Sequence, residues 1–168
     1  MLKFYFNNKE IKELENYSKN KIYGLNRLLS KNILISSGDK EKEIFAVSDE
    51  VLSIFKKMKC LPYSIGNLIA EKKGKKYNFS LWAIEKLSKF NPYIIVDEKG
   101  EQTFLYGYNL ISKMVIKTSK KFKNNEYLFV KNRLGDTLGI GLWVGGLNKE
   151  GIVVKNLKNI SKYLNDKC

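Results

Sequence analysis

The stretch QTFLYGYNLISKMVIKTS, Gln102 to Ser119, changes its periodicity halfway along, and that change decides the fold. Phe104, Leu105, Tyr108 and Ile111 recur at helical spacing, which predicts a short helix with one buried face. After Lys113 the period becomes two, with Met114, Ile116 and Thr118 alternating against Val115, Lys117 and Ser119. A helix therefore feeds a strand, with lysines at the junction. Gly107 falls inside the expected helix, where glycine costs about 1 kcal/mol against alanine. A cost taken there implies close approach to the backbone, by a neighbouring strand or by a ligand.

Upstream, Asn7 and Asn8 are N-cap candidates for an amphipathic helix over residues 7–31, broken near Tyr23–Gly24. Ile33–Ser36 and Glu43–Val47 read as strands around a Gly38–Asp39 turn. Ser48 caps a helix with Val51 at N3, whose apolar side is Val51, Leu52, Phe55 and Met58 and which Leu61–Pro62 ends. Tyr63 to Glu71 is a strand holding Gly66, followed by a charged turn around Gly74. Phe79, Trp82, Ala83, Leu87 and Phe90 complete another helix, which Asn91–Pro92 stops because a residue before proline is pushed out of the helical region. That break is the expected domain boundary, giving residues 1–91 and 92–168.

Beyond it, strands dominate: Tyr93–Val96, then about 114–119, 127–132, 137–144 and 151–155. Turn signals at Asn124–Asn125, Gly135–Asp136 and Gly145–Gly146 separate them. Leu157, Ile160 and Leu164 predict a closing amphipathic helix, capped by Asn156 or Asn159. Helices alternating with short strands and then a run of strands make an α+β chain, its second half a small barrel or sandwich.

At 168 residues and 43% hydrophobic content the chain can hold one large or two small domains with true cores. Its net charge of +14 is spread over both halves, with 18 Lys/Arg against 10 Asp/Glu in residues 1–90 and 13 against 7 in 91–168. Such an excess points to an anionic partner, nucleic acid first; a lysine-rich proteome from an AT-biased genome gives the same composition. Only Arg27 and Arg133 are arginines. Lysine is a point charge without the planar fork that reads a guanine edge, so backbone tracking is favoured over duplex readout.

There is no histidine, which removes the usual general base, the Ser/His and Cys/His pairs and most transition-metal sites. No phosphate loop of the G-x-x-x-x-G-K-[ST] form is present. Gly139-Ile140-Gly141 precedes Leu142-Trp143-Val144 rather than a helix start, and reads as a glycine-kinked barrel strand. Carboxylates lie beside lysines on helix faces (Glu10, Glu13, Glu15, Glu85) or in turns (Asp39, Asp97, Asp136), without a pair set in an apolar run. A non-enzyme with no cofactor and no metal is expected. Cys60 and Cys168 fit neither a disulfide framework nor a zinc site, which implies free thiols in a reducing cytoplasm, with Cys60 in the core. No secretory signal or membrane span is read.

What the chain does offer is cations beside aromatics. Lys113, Lys117, Lys120, Lys121, Lys123, Lys131 and Arg133 face only Glu126 over that stretch, and Lys149, Lys155, Lys158 and Lys162 follow. Lys158 and Lys162 share a face of the expected closing helix. If that last strand and helix pack beside the opening helix, the clusters merge into one basic groove. Tyr106, Tyr108 and Tyr163 stand near as stacking candidates.

The Glu101-Gln102-Thr103-Phe104-Leu105-Tyr106-Gly107 string opening a β-rich half resembles a PUA domain, the RNA-binding module named from pseudouridine synthases and archaeosine transglycosylases. The end of that half, Val153-Val154-Lys155 through Asn159-Ile160-Ser161-Lys162-Tyr163-Leu164, matches it too. Phe45-Ala46-Val47-Ser48 before a helix, Ser64-Ile65-Gly66, and Phe79 with the Leu81–Leu87 helix resemble the pre-PUA domain of the NIP-seven family, archaeal type. Those are large-subunit ribosome biogenesis factors. The resemblance covers about residues 40–168. It implies an α/β pre-PUA domain, helices layered on a small sheet, joined to a PUA pseudo-barrel. It further implies a cytoplasmic, non-catalytic factor in pre-rRNA processing that binds single-stranded U-rich or AU-rich RNA, with the exosome as a further partner. Lys155 and Lys158 match the family's basic residues, with Lys113, Lys117, Lys149 and Lys162 as support; Lys149 and Glu150 stand where archaeal members carry arginines. Two alternatives remain at this stage. One is a protein adaptor anchored through aromatics near Tyr5, Phe6 and Tyr23; the other is a relative of RNA-modification enzymes, which requires a catalytic carboxylate in a cleft.

Overall fold

Antiparallel pairing organises both halves of the chain in a computed structural model, which describes residues 3–19, 21–29, 33–37, 41–60, 62–145 and 151–161. The chain divides into two compact units, residues 1–87 and 88–168.

In the first unit, β1 (Lys3–Tyr5), β2 (Ile33–Ser37), β3 (Lys42–Ala46), β4 (Asn67–Lys73) and β5 (Lys76–Phe79) form a meander in sequence order. Helix α1 (Asn8–Ser18) starts at Asn7, whose side chain accepts from the Lys9 N–H at 2.9 Å. The expected break is real: Gly24 begins a separate turn of helix, α2 (Leu25–Leu28). Ser48 caps α3 (Asp49–Lys57) by accepting from the Val51 N–H at 3.3 Å, the N3 contact expected. Leu52 of α3 packs with Leu34, Phe45, Val47 and Ile65, while Val51 and Met58 face solvent. Phe79 belongs to β5, and α4 (Leu81–Ser88) follows it. Cys60 is exposed, not a core residue as expected. The Gly38–Asp39 turn lies outside the described residues.

The charged side of α1 is held by the sheet. Glu10, 6% exposed, accepts hydrogen bonds from Lys42 and, at 2.6 Å, from Lys72, which also reaches Glu13 at 2.5 Å. Burial alone would raise the Glu10 carboxyl, but the two lysines hold it below the usual carboxylate range.

The second unit is a six-stranded sheet of β6 (Tyr93–Val96), β7 (Leu110–Ile111), β8 (Val115–Thr118), β9 (Glu126–Lys131), β10 (Thr137–Trp143) and β11 (Ile152–Asn159), in the order β7-β11-β10-β9-β6-β8. All pairs are antiparallel except β6 with β9. The edges β7 and β8 are separated along the chain only by a 3-10 turn, Ser112–Met114. The strands therefore wrap into a barrel-like sheet, as the sequence implied. Its interior is filled by Ile94, Val96, Phe104, Leu110, Leu128, Val130, Trp143 and Val154 among others. Helix α5 (Glu98–Leu105) lies on it, capped by Asp97, which accepts from the Gly100 N–H at 2.7 Å. Turns fall at Asn125 and Gly135, both with positive φ. Among the described residues no helix is long and apolar enough to cross a membrane, and no cluster of three or more acidic or cysteine side chains is set to hold a metal.

Candidate nucleic-acid interface

The opening stretch folds differently from its periodicity. Helix α5 stops at Leu105, and Gly107 follows it at φ 90°, in the left-handed region. The Gly107 N–H donates to the Phe104 carbonyl at 3.0 Å and the Tyr108 N–H to the Thr103 carbonyl at 3.1 Å. This pair of bonds is the Schellman arrangement that ends a helix, and glycine takes the left-handed position without steric cost. Gly107 therefore terminates the helix instead of interrupting it. Tyr108 does not join a buried helical face: it is 68% exposed, Tyr106 is 80% exposed, and Ile111 sits in β7.

The carbonyls at the end of α5 take further donors from β11 and from Ser161 just beyond it. The Asn156 amide donates to the Phe104 carbonyl at 2.6 Å and the Asn159 amide to the same oxygen at 3.0 Å. The Ser161 hydroxyl donates to the Leu105 carbonyl at 2.6 Å. Asn109 accepts from the Asn156 N–H at 3.0 Å, just where the β7 ladder has ended at Leu110 opposite Val154. Asn156 and Asn159 were read as caps of a closing helix; they cap the other end of a different one.

Of the expected helix over 157–164, residues 162–164 lie outside the described residues, and over 157–159 it is corrected by β11, which runs as a strand through Asn159. Its cause is a β-bulge: Ile140 pairs with Lys158 and Gly141 with Asn156, so Leu157 is an extra residue. Residues three apart in a regular strand point to opposite faces. Here Lys155 opposes Leu142 and Lys158 opposes Ile140, so both lysines fall on one face, with Val154, Asn156 and Asn159 on the other. On β10, Gly139 and Gly141 stand opposite that inner row, where an added side-chain carbon would overlap the Lys158 carbonyl or the Val154 side chain. The glycine pair is a kinked strand, as expected.

Lys155 and Lys158 thus share the face of β11 opposite the amides that hold the end of α5. Lys113 is in the 3-10 turn, next to Ser112, whose N–H reaches the Gly151 carbonyl at 3.3 Å. That is the opposite end of β11 from Lys158, about 20 Å away at strand rise. Lys117 is exposed on β8, opposite Ile95 of β6, and is not beside β11 in the sheet order. Lys120 is taken by Glu126, whose carboxyl burial would raise but Lys120 and the Lys123 N–H pull below its usual range. Lys149, Glu150, Lys162 and Tyr163 lie outside the described residues. Reading the sequence for charge missed Asn156, Asn159 and Ser161, although amides at spacing three in a strand-like run are the mark of the bulge.

Residues 92–167 match the family model described as the UPF0113 PUA domain. A UPF0113 protein of Archaeoglobus fulgidus is 30% identical over 152 residues, covering 84% of this chain and 83% of its own length. A conserved PUA domain protein from Thermoplasma acidophilum is similar with a TM-score of 0.63 at 15% identity, over 98% of this chain and 97% of its own. A PUA domain protein from Aeropyrum pernix, solved with tartrate, gives a TM-score of 0.63 at 10% identity, over 98% and 89%. At such identities the structures speak to fold alone, and they agree with the barrel and meander described above. The chain belongs to the UPF0113 family, and its C-terminal part is a PUA domain.

Proposed function

We propose that this protein is a non-catalytic RNA-binding factor whose PUA half, residues 92–168, holds single-stranded RNA along β11. PUA domains generally bind RNA. The observation that carries the reading is the bulge at Leu157, which turns Lys155 and Lys158 to one face of β11, while Tyr106 and Tyr108 stand exposed on the turn after α5. Lysines neutralise phosphates, and the Tyr106 and Tyr108 rings offer stacking surfaces for bases. Lys113, Lys117, Lys149 and Lys162 act as a wider field of positive charge that draws RNA in. The resemblance to the NIP-seven family supports a cytoplasmic role in large-subunit ribosome biogenesis and pre-rRNA processing, with U-rich or AU-rich strands and the exosome as partners.

About five phosphate contacts to a single strand give a log K against log salt slope near −3.5. Replacing Lys155 and Lys158 together by alanine should weaken U-rich and A-rich oligonucleotides alike and flatten the slope by about 1.4. An unchanged titration for that double variant would remove β11 as the site.

A second reading makes residues 1–91 a protein adaptor. Phe6 and Tyr23 are both more than half exposed, and Tyr23 lines an open pocket of about 250 Å³ with Ile22, Leu25 and the end of α1. Aromatic anchors of this kind favour protein contacts. Partner capture that survives nuclease treatment and removal of residues 92–168 supports this reading.

A further inference from the structure

One row of the N-terminal sheet carries chemistry that neither reading above uses. Across β1 to β5 the residues in register are Phe4, Ser36, Glu43, Glu71 and Asn78. Residues directly opposite in antiparallel strands stand on one face, with Cβ atoms about 4.5–5.5 Å apart. Glu43 and Glu71 are therefore nearest neighbours, a like-charged pair that destabilises a sheet. The lysines beside them in sequence, Lys42 and Lys72, point to the other face, where both donate to Glu10 of α1. Lys73, two residues beyond Glu71, pairs with Glu41 at 2.7 Å. Among the described residues no cation pairs with Glu43. Glu71 accepts a long bond from the Asn78 amide at 3.4 Å.

The next position in the row holds an orphan. Ser36 is 1% exposed, and its Oγ has no hydrogen-bond partner among the described residues. A buried hydroxyl without a partner is destabilising, and this one lies directly opposite Glu43, on the face of both carboxylates. Phe4 ends the row, its ring centre 6.1 Å from that of Phe45 and 5.7 Å from that of Phe55. An apolar wall beside the carboxylates strengthens their attraction for a cation. Burial, then Glu71 and Glu41, raise the Glu43 carboxyl, as befits an anion kept without a counter-charge. Both glutamates are half-buried, so the row is open to solvent on its outer side.

We infer that Ser36, Glu43 and Glu71 form a Mg²⁺ site on the face of the N-terminal sheet away from α1, the ion held by two carboxylates and a hydroxyl, with water completing its shell. The donors are all hard oxygens, which suit Mg²⁺, Ca²⁺ or Mn²⁺ rather than zinc or copper. Ca²⁺ asks for more protein oxygens than the row offers, whereas Mg²⁺ binds through one or two carboxylates and keeps several waters. A lysine or arginine from a partner protein would suit the same carboxylates. The net charge of +14 on this chain repels basic partners, and a small ion meets less of that field.

The test is Mn²⁺ binding to the full chain, freed of metal and RNA, read from the electron paramagnetic resonance of free Mn²⁺ with MgCl₂ as competitor. Wild-type protein should bind one Mn²⁺ with a Kd of about 10⁻⁴ to 10⁻³ M, the range of sites with few charged ligands, and MgCl₂ should release it. Glu43→Gln and Glu71→Gln should each weaken binding at least about tenfold, since even losing a group that orients a ligand costs that much. Ser36→Ala should weaken it about threefold, the worth of one neutral hydroxyl contact. Glu15→Gln, which alters an exposed acid of α1, should change nothing. Thermal melts separate the site from a structural role. Without metal, Glu43→Gln should melt at or above the wild type, because the like-charged pair is gone. MgCl₂ should raise the wild-type midpoint by about 2 °C or more and leave that variant unmoved. Mn²⁺ that does not bind, that MgCl₂ does not release, or that binds Glu43→Gln as well as the wild type overturns the site. So does a Glu43→Gln protein that melts below the wild type without metal, which would make Glu43 a structural contact.

Discussion

Two helices of this protein are fastened to two sheets by opposite chemistry. In the N-terminal unit α1 is held by ions: Glu10 and Glu13 on the helix take Lys42 and Lys72 from β3 and β4. In the PUA domain α5 is held by neutral groups, with Asn156, Asn159 and Ser161 donating to the carbonyls at its end. Both solve the problem of a polar helix surface against a sheet. The ionic seat answers to proton concentration, because its carboxylates titrate; the amide seat has nothing to titrate. A change in the ion atmosphere around Lys155 and Lys158 therefore leaves the clamp on the end of α5 as it is.

The comparison breaks most easily at Glu10. Glu10→Gln leaves Lys42 and the largely buried Lys72 short of a counter-charge and should cost about 3 kcal/mol, the low end for a broken buried pair because Lys72 keeps Glu13. Hydrogen exchange should show the loss in α1, β3 and β4 and not in β9–β11; equal loss in the barrel would mean that the ionic seat is not local. Next in size, Asn156→Ala with Asn159→Ala removes both side-chain donors to the Phe104 carbonyl and should cost about 2 kcal/mol. That loss should be the same at pH 4.5 and pH 8, and a pH-dependent loss would undo the contrast.

Acid itself sharpens the difference. Because the folded-state value of Glu10 is depressed, its contribution is full above the unfolded carboxylate range, near pH 4.3, and is lost as pH falls through the folded value. Glu43 works the other way: burial, then Glu71 and Glu41, raise it, so folding is relieved as pH falls toward the unfolded value. Protection in the first unit should thus hold or rise slightly down to about pH 4.3 and drop below it. Protection at the end of α5 should stay flat over the same range. The smallest effect is expected for Lys120→Ala, which removes an exposed partner of Glu126 and should shift stability by about 0.5 kcal/mol or less, as surface pairs do.

Much of the scaffold is legible in the residues themselves. Asn7 and Ser48 cap the helices that follow them because a short side-chain oxygen there satisfies free N–H groups locally. Asn125 and Gly135 mark turns because both tolerate positive φ. Residues 157–159 read as the start of a helix for a physical reason. A bulge inserts one residue, and same-face spacing in β11 becomes three, which is the spacing that signals a helix. The same insertion hid the pairing of Lys155 with Lys158 on one face. Gly107 was misread because a helix-ending glycine and a helix-interrupting one look alike until the Tyr108 N–H is traced back to Thr103. The ionic seat was out of reach altogether: Glu10 meets Lys72 across 62 residues of sequence, and no local pattern records that. Cys60 was placed in the core by its usual habit, against which the end of α3 holds it in solvent.

The extra residue at Leu157 has a consequence for how this surface can change over time. It divides β11 into an outer row of cations and an inner row of amides, so the outer row can gain or lose lysines while the helix clamp is left as it is. Surface charge and architecture can then drift separately under selection. Loss of Leu157 itself would keep both rows, because Lys155 and Lys158 would then stand two apart in a regular strand and still share a face.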